Sequence, residues 1–169
     1  MIKVQSINSI DALKMSIQCE MDMREYYKEA AAIVKNDDAI AILNGLTDKA
    51  DKHRQSLIRA YSKLSGKKIL YLKLGRKHKL SSLVKCPDDP NEAIRNAKKN
   101  EQELKSFYAT ISRRLIESDL RQLFRELAME QEQHYALLES SFEEPLHLDE
   151  EPIEAETEEN TMMSELASA

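Results

Sequence analysis

The hydrophobic positions of this chain return every three or four residues in four separate stretches, which is the period of an amphipathic α-helix. The first stretch covers 9–35, and either Ser9 or Asp11 is placed to cap its start. The polar run at 35–38 interrupts the period, so we expect the first helix to end there. The positions that carry its pattern are Ile10, Leu13, Ile17, Tyr27 and Ala31.

Three further helices follow from the same reasoning. The second covers about 38–65 and stops at Gly66, a residue that readily adopts the left-handed conformation of a helix C-cap. The third opens at Pro90, whose fixed φ suits a first helical position. A turn at 117–119 separates it from the fourth, which continues to about Phe142. Short turns within each pair predict two antiparallel hairpins.

The two hairpins look like copies of one ancestral unit. Residues 11–58 align with 92–139 without a gap, at an offset of 81 positions, and the apolar register agrees throughout. The identical pairs are Ala12/Ala93, Glu20/Glu101, Tyr27/Tyr108, Asp38/Asp119, Leu46/Leu127, His53/His134 and Leu57/Leu138. With a connector at about 66–89 long enough to cross the bundle, the chain is predicted to be all-α, a four-helix bundle of duplicated hairpins.

Polar residues occupy the inward face of this predicted bundle. Glu20 and Tyr27 are two helical turns apart, so they share a face with the apolar positions of the first helix. The repeat places Glu101 and Tyr108 in the same way and adds one histidine to each partner helix. A buried carboxylate is costly unless it is paired, hydrogen-bonded or bound to a metal. The sequence therefore predicts a polar centre inside the bundle.

Two stretches resemble known proteins. The segment "ALKMSIQCEMDMREYYKEAA" (12–31) resembles the first helix of rubrerythrin-like proteins, where an inward Glu is followed seven residues later by Tyr and then by small residues. The segment "LFRELAMEQEQHYALLE" (123–139) is similar to their last helix, where Leu-Ala leads into Glu-x-x-His. The resemblance covers about 10–142 and implies a ferritin-like bundle holding two metals, with one Glu and one Glu-x-x-His from each hairpin.

The resemblance assigns ligands but leaves gaps. It implies as metal ligands Glu20, His53, Glu101 and His134. Tyr27 and Tyr108 are expected to lie next to these ligands without binding the metals. The Glu of each Glu-x-x-His, which bridges the metals in the family, is replaced by Ala50 and Gln131. Gln131 is a weak further ligand, and Glu130 is within reach of the same face as His134. The counterpart of Glu130 is Lys49, which would bring a positive charge towards the site.

These departures shape the expected function. The sequence predicts a degenerate diiron site that does not work as a diiron oxidase, with a Glu/His core used structurally and function in surface-mediated interaction. No catalytic or organic-cofactor residue is assigned, and the sequence leaves open whether the chain is an enzyme, with a non-enzyme favoured. The alternative is a metal-binding oxidoreductase or peroxide-stress protein with a single Fe, Zn or Mn ion, a diiron centre being less favoured.

Charge divides the chain at about residue 142. The segment 143–169 carries ten acidic residues and no Lys or Arg, within a total charge of −5. We expect a bundle domain at 1–142 and a disordered acidic tail at 143–169. The connector has seven Lys or Arg among apolar residues, and we interpret it as a cover for the bundle rather than a nucleic-acid or membrane strip. A protein partner for the connector or the tail remains an alternative.

The remaining expectations concern location and assembly. No apolar run approaches the ~20 residues of a membrane span, and no secretory leader is visible. Cys19 and Cys86 form no CxxC pair, so a zinc knuckle or rubredoxin-type iron centre is not encoded, and a reduced cytoplasmic setting is expected. The resemblance and the long crossover, which leaves an apolar helix face available, predict a homodimer.

Overall fold

The structure is a computed structural model that describes residues 8–69, 80 and 82–142. Four α-helices follow one another along the chain: α1 Ser9–Ile33, α2 Asp37–Ser65, α3 Pro90–Arg114 and α4 Ser118–Ser141. The predicted all-α four-helix bundle is confirmed, with helix ends close to those read from the hydrophobic period. The predicted acidic tail, 143–169, lies outside the described residues.

The first helix begins differently from the prediction. Asn8 is its N-cap, and the Asn8 Oδ1 accepts a hydrogen bond of 3.1 Å from the backbone N–H of Asp11. The expectation that Ser9 or Asp11 would cap α1 is wrong, because the residue before Ser9 already supplies the side-chain acceptor. The Ser9 hydroxyl instead donates to both carboxylate oxygens of Glu117, at 2.9 and 2.8 Å, and so ties α1 to the start of α4.

The second helix has well-defined ends. The Asn36 Oδ1 accepts from the backbone N–H of Ala39 at 2.9 Å and caps its start. Gly66 follows the last turn with a φ of 68°, a left-handed conformation that only glycine adopts without strain. The predicted role of Gly66 as a C-cap is confirmed.

The core confirms that the two hairpins use equivalent faces. Helix α1 packs along α2 and helix α3 along α4, while α1 also contacts α3 and α2 contacts α4. Residues related by the 81-position offset are buried in both copies, as the pairs Ala12/Ala93, Leu13/Ile94, Leu43/Phe124, Leu46/Leu127 and Leu57/Leu138 show. The same pattern of apolar positions therefore builds both halves of one continuous core.

The described parts of the connector pack on the bundle. Asn100 of α3 is fully buried and forms two hydrogen bonds with Val84: its Oδ1 accepts from the backbone N–H at 2.8 Å, and its Nδ2 donates to the carbonyl at 3.0 Å. Ile69, Leu80 and Leu83 lie against the core. These contacts favour the interpretation of the connector as a cover, although residues 70–79 and 81 lie outside the described part of the chain.

Over the ranges that the structure describes, no helix has the combined length and hydropathy of a membrane-spanning segment. Cys19 is buried and Cys86 is half-buried, and both are free thiols. Burial raises the pKa of the Cys19 thiol above its usual range, so this side chain is a small apolar core residue rather than a reactive thiolate.

Candidate metal centre

Each helix contributes one ionisable side chain to the middle of the bundle. Glu20 comes from α1, His53 from α2, Glu101 from α3 and His134 from α4, and all four are buried. The two imidazole rings are nearly parallel, with an interplanar angle of 18° and centroids 5.6 Å apart. The structure thus brings together the four residues that the repeat and the resemblance had singled out, and a metal role for them stays a prediction.

Each buried carboxylate is held by a tyrosine from the other hairpin. The Tyr108 hydroxyl donates to Glu20 Oε1 at 2.6 Å, and the Tyr27 hydroxyl donates to Glu101 Oε1. These two bonds are related by the repeat, since the offset converts one pair into the other. Because each bond joins α1 to α3, the pair also fixes the register between the two hairpins.

Each carboxylate also faces a histidine of its own hairpin. Glu20 Oε1 lies 3.5 Å from His53 Nδ1, and Glu101 Oε2 lies 3.5 Å from His134 Nδ1. These distances are too long for good hydrogen bonds. As a result, His53 Nδ1 and Glu101 Oε2 are buried without a hydrogen-bond partner among the described residues. Buried polar atoms are rarely left in this state unless water or an ion satisfies them.

The positions that bridge the metals in the resembled family are buried but altered. Ala50 is buried and offers no ligand atom. The side-chain amide of the buried Gln131 forms two hydrogen bonds: its Nε2 donates to Glu20 Oε1 at 3.4 Å, and its Oε1 accepts from His134 Nδ1 at 3.2 Å. Gln131 therefore acts as a neutral strut between the carboxylate of one hairpin and the histidine of the other.

Glu130 joins the centre from its outer side. Its Oε2 lies 2.8 Å from His53 Nε2, so this residue of α4 bonds to a histidine of α2. One ring nitrogen of His53, one of His134 and a carboxylate oxygen of Glu130 all lie within 4.8 Å of one another, close enough to hold a metal ion. Glu20 and Glu101 lie outside this compact group.

The charges around His53 set its protonation. Burial lowers the pKa of His53, but the carboxylates of Glu20 and Glu130 on its two sides outweigh that effect and raise it above the usual value. Burial raises the pKa of Glu130, but the contacts with His53, the positive charge of Lys49 and the proximity of His134 together lower it below the usual value. Both shifts favour a protonated His53 beside an ionised Glu130 at the edge of the centre.

The carboxyl group of Glu101 behaves differently. Burial raises the pKa of Glu101 from 4.5 to about 7, with a small contribution from Glu20 and against the opposing effect of His134. Burial and the adjacent Glu20 also raise the pKa of Tyr108 well above its usual value, so this phenol is a permanent hydrogen-bond donor. The inner side of the centre is therefore a low-dielectric region in which negative charge is costly.

The donor set fits one divalent ion. One ring nitrogen of each histidine and a Glu130 oxygen form one compact group of ligand atoms within 4.8 Å of one another, whereas the two His–Glu contacts of 3.5 Å belong to different rings. The unpartnered His53 Nδ1 and Glu101 Oε2 are further atoms that an ion or water would satisfy. A second ion needs shared carboxylates to offset its charge, and Ala50 and Gln131 do not supply them.

Sequence reasoning reached most of this site. The repeat identified both His–Glu sets and both tyrosines, and helical spacing put Glu130 on the His134 side. The bond from Glu130 to His53 was missed, because it depends on how α4 sits against α2 in the other hairpin. The one sequence signal for it was the Glu130/Lys49 mismatch between the repeats.

Comparisons with known proteins agree with this architecture. A hypothetical protein from Pyrococcus furiosus is 26% identical and superimposes with a TM-score of 0.66, over 81% of this chain and 89% of that chain. A protein from Bacteroides fragilis, described as a dodecameric thioferritin and as bacterioferritin-related, is 17% identical with a TM-score of 0.64, over 78% and 82% of the two chains, and shares the fold. No curated protein sequence gives a significant match. Residues 11–141 match the rubrerythrin family, so this chain belongs to that family.

Proposed function

We propose that this rubrerythrin-family protein binds a single divalent metal ion at its Glu/His centre and does not work as a diiron oxidase. One observation carries the proposal. Two parallel imidazoles lie in the buried centre with three carboxylates, those of Glu20, Glu101 and Glu130, each within 3.5 Å of a ring nitrogen. Two histidines with carboxylates are a donor set that suits Zn, Fe or Mn.

The same residues argue against a pair of ions. Redox chemistry at a dimetal centre depends on carboxylates shared between the metals, and Ala50 has none to share. The Gln131 amide is already engaged with Glu20 and His134 and carries no charge. With both bridges absent, no shared carboxylate would lie between two dications to offset their repulsion in this core.

The chain's own residues would hold the ion beside a rigid core. His53 and His134 would bind it, and the carboxylates would supply the compensating charge. Tyr27 and Tyr108 hold two of those carboxylates in place, and both carboxylates are buried. When bound, a metal ion at such a site supplies Lewis-acid chemistry or, for iron and manganese, one-electron chemistry.

A second candidate function is that of a metal-free interaction protein. The two Tyr–Glu bonds and the Gln131 strut already satisfy much of the polar core and would fix the helix register by themselves. Function would then lie on the surface, with the basic connector or the acidic tail as the contact for a protein partner. In this case purified protein would bind no divalent ion at stoichiometric levels.

We propose, further, that the protein self-associates as a homodimer in a reducing cytoplasmic setting. Ile116 is 79% exposed and Met129 is 64% exposed, and each offers apolar surface to such an interface. The dodecameric assembly named for the Bacteroides fragilis protein is a precedent within the same fold. The free thiols of Cys19 and Cys86 suit a reducing compartment.

Calorimetric titration with Zn²⁺ tests the metal proposal. The parent should bind one ion per chain, and the double variant His53→Ala with His134→Ala should bind none above background. Asp119→Ala is the matched control, because this carboxylate lies on the surface and pairs with Lys63 at 3.2 Å, away from the centre. A parent that binds no Zn²⁺, or a double variant that binds as well as the parent, would reject the proposal.

A further inference from the structure

We infer that the ion of the proposed function is held by His53, His134 and Glu130, on the outer side of the two histidines. Glu20 and Glu101 then lie on the opposite side of the imidazole rings, where they position the histidines and do not bind the ion. The inference rests on the proposed function and adds its ligand set. It moves the site from the buried carboxylates that the family resemblance implies to an edge of the bundle between α2 and α4.

Compactness is the first argument for the outer position. Side chains need to move little to bind an ion where the candidate ligand atoms are already close together. One ring nitrogen of each histidine and the Glu130 oxygen lie within 4.8 Å of one another. Glu130 Oε2 is also 2.8 Å from His53 Nε2, so an ion would replace a proton between two groups already in contact. On the inner side, Glu20 and Glu101 each face one histidine, as two separate pairs.

The second argument concerns the two ring nitrogens of each histidine. Nδ1 of His53 faces Glu20 at 3.5 Å without a hydrogen bond. Nδ1 of His134 donates to Gln131 Oε1 at 3.2 Å and faces Glu101 at 3.5 Å. A histidine that binds a metal through one nitrogen usually points the other N–H at a carboxylate, which fixes the ring and strengthens the ligand. Each carboxylate is in turn held by a tyrosine of the other hairpin. The repeat therefore preserves the groups that orient both histidines.

Exposure gives the third argument and indicates what the site would do. The Glu130 side chain is 40% exposed, whereas those of Glu20 and Glu101 are 2% and 1% exposed. An ion can therefore reach Glu130 from solvent without opening the core. Three protein ligands leave one position of a tetrahedral ion open to water or a small anion. This arrangement suits an exchangeable site that takes up and releases its ion, in contrast to a closed structural one.

The sequence change between the repeats explains why one such site forms. Glu130 is one turn before His134 and takes the place of the carboxylate lost at Gln131. The equivalent residue in the first hairpin is Lys49, which carries an ammonium group in place of a carboxylate. A mirror-image site is thus absent by sequence, since an ammonium cannot bind a cation.

Nitrogen NMR of the Zn²⁺-loaded protein tests directly which ring nitrogen of each histidine binds the ion. With ¹⁵N-labelled histidine, long-range proton–nitrogen spectra distinguish a protonated ring nitrogen from one bound to metal. We expect both His53 and His134 to keep a proton on Nδ1 and to bind Zn²⁺ through Nε2. Binding through Nδ1 in either residue would overturn the inference, because the ion would then lie on the side of Glu20 and Glu101.

A variant series gives a second, independent test by Zn²⁺ titration. Glu130→Gln should weaken binding by more than about 100-fold, beyond the effect of an outer partner, whereas Glu20→Gln should weaken it by about tenfold. Glu126→Gln is the control, since this carboxylate is exposed, one turn away and bonded to Gln122. If Glu20→Gln abolishes binding and Glu130→Gln matches the control, the inference is wrong while the proposed function stands. If the parent binds no Zn²⁺, both fail.

Discussion

Replacing Gln131 with glutamate is the sharpest single perturbation of this centre. The substitution keeps the shape of the side chain but places a carboxylate where the amide Nε2 lies 3.4 Å from Glu20 Oε1. Two unit charges at that separation repel by about 5 kcal/mol at an effective dielectric constant of about 20. A hydrogen bond to Glu20 is lost at the same time.

Protonation limits the cost. Keeping one carboxyl neutral at pH 7, against its usual pKa of about 4.3, costs about 4 kcal/mol, and a shared proton between the two groups returns about 1 kcal/mol as a hydrogen bond. We therefore expect Gln131→Glu to lower the free energy of unfolding by about 3 kcal/mol without metal. For a domain of this size, that corresponds to a melting temperature about 10 °C lower.

Thermal unfolding followed by circular dichroism checks this value. In EDTA at pH 7, the variant should melt well below the parent. At pH 5 the gap should nearly vanish, because the proton then costs only about 1 kcal/mol and the hydrogen bond returns about as much. Zn²⁺ at about 100 times its dissociation constant should return about 3 kcal/mol. Gln133→Glu is the control, since Gln133 is exposed on the same helix. Equal melting of Gln131→Glu and this control in EDTA would refute the geometry used here.

Three further outcomes are expected. Ala50→Glu combined with Gln131→Glu rebuilds Glu-x-x-His in both hairpins and should bind one more Zn²⁺ per chain than the parent by titration calorimetry; equal stoichiometry would show that the missing carboxylates do not limit binding. Because the pKa of Glu101 rises from 4.5 to about 7 on folding, its stabilisation is complete below about pH 4.5 and is lost as pH rises through 7. Urea unfolding of the metal-free protein should therefore show stability falling by about 3 kcal/mol over that interval, and Glu101→Gln should flatten the fall; an unchanged slope would contradict the assignment. Truncation after Glu144 should leave the melting temperature within about 2 °C of the parent, since the acidic tail has too few apolar residues to bury much surface; a larger drop would indicate that the tail docks.

The fold could be predicted from the sequence because the same pattern of apolar and polar positions occurs in both hairpins. Leu46 and Leu127, or Leu57 and Leu138, repeat at the same offset as the polar residues, so the inward face of every helix is determined by two copies of the same information. Helix spacing then converts that face into a core. The cap of α1 was not predicted, since Asn8, Ser9 and Asp11 all have side chains capable of capping and only the backbone path selects among them.

The sequence predicted which residues form the centre but not which of them bond to each other. Spacing within a helix places Glu20 and Tyr27 on one face, yet the bonds run from Tyr27 to Glu101 and from Tyr108 to Glu20. These partners depend on the offset of one hairpin along the other, which no single helix encodes. The bond from Glu130 to His53 has the same origin, and it is the feature that changes the interpretation of the site most.

Native mass spectrometry of the chain, titrated with Zn²⁺ and separately with Fe²⁺ under anaerobic conditions, tests the central claim most directly. The mass of each species counts the ions per chain without assuming a binding model. We expect one ion per chain to fill the centre and no second ion to follow at moderate excess. A species with two ions per chain at stoichiometric metal, or a chain that stays metal-free throughout, would contradict it.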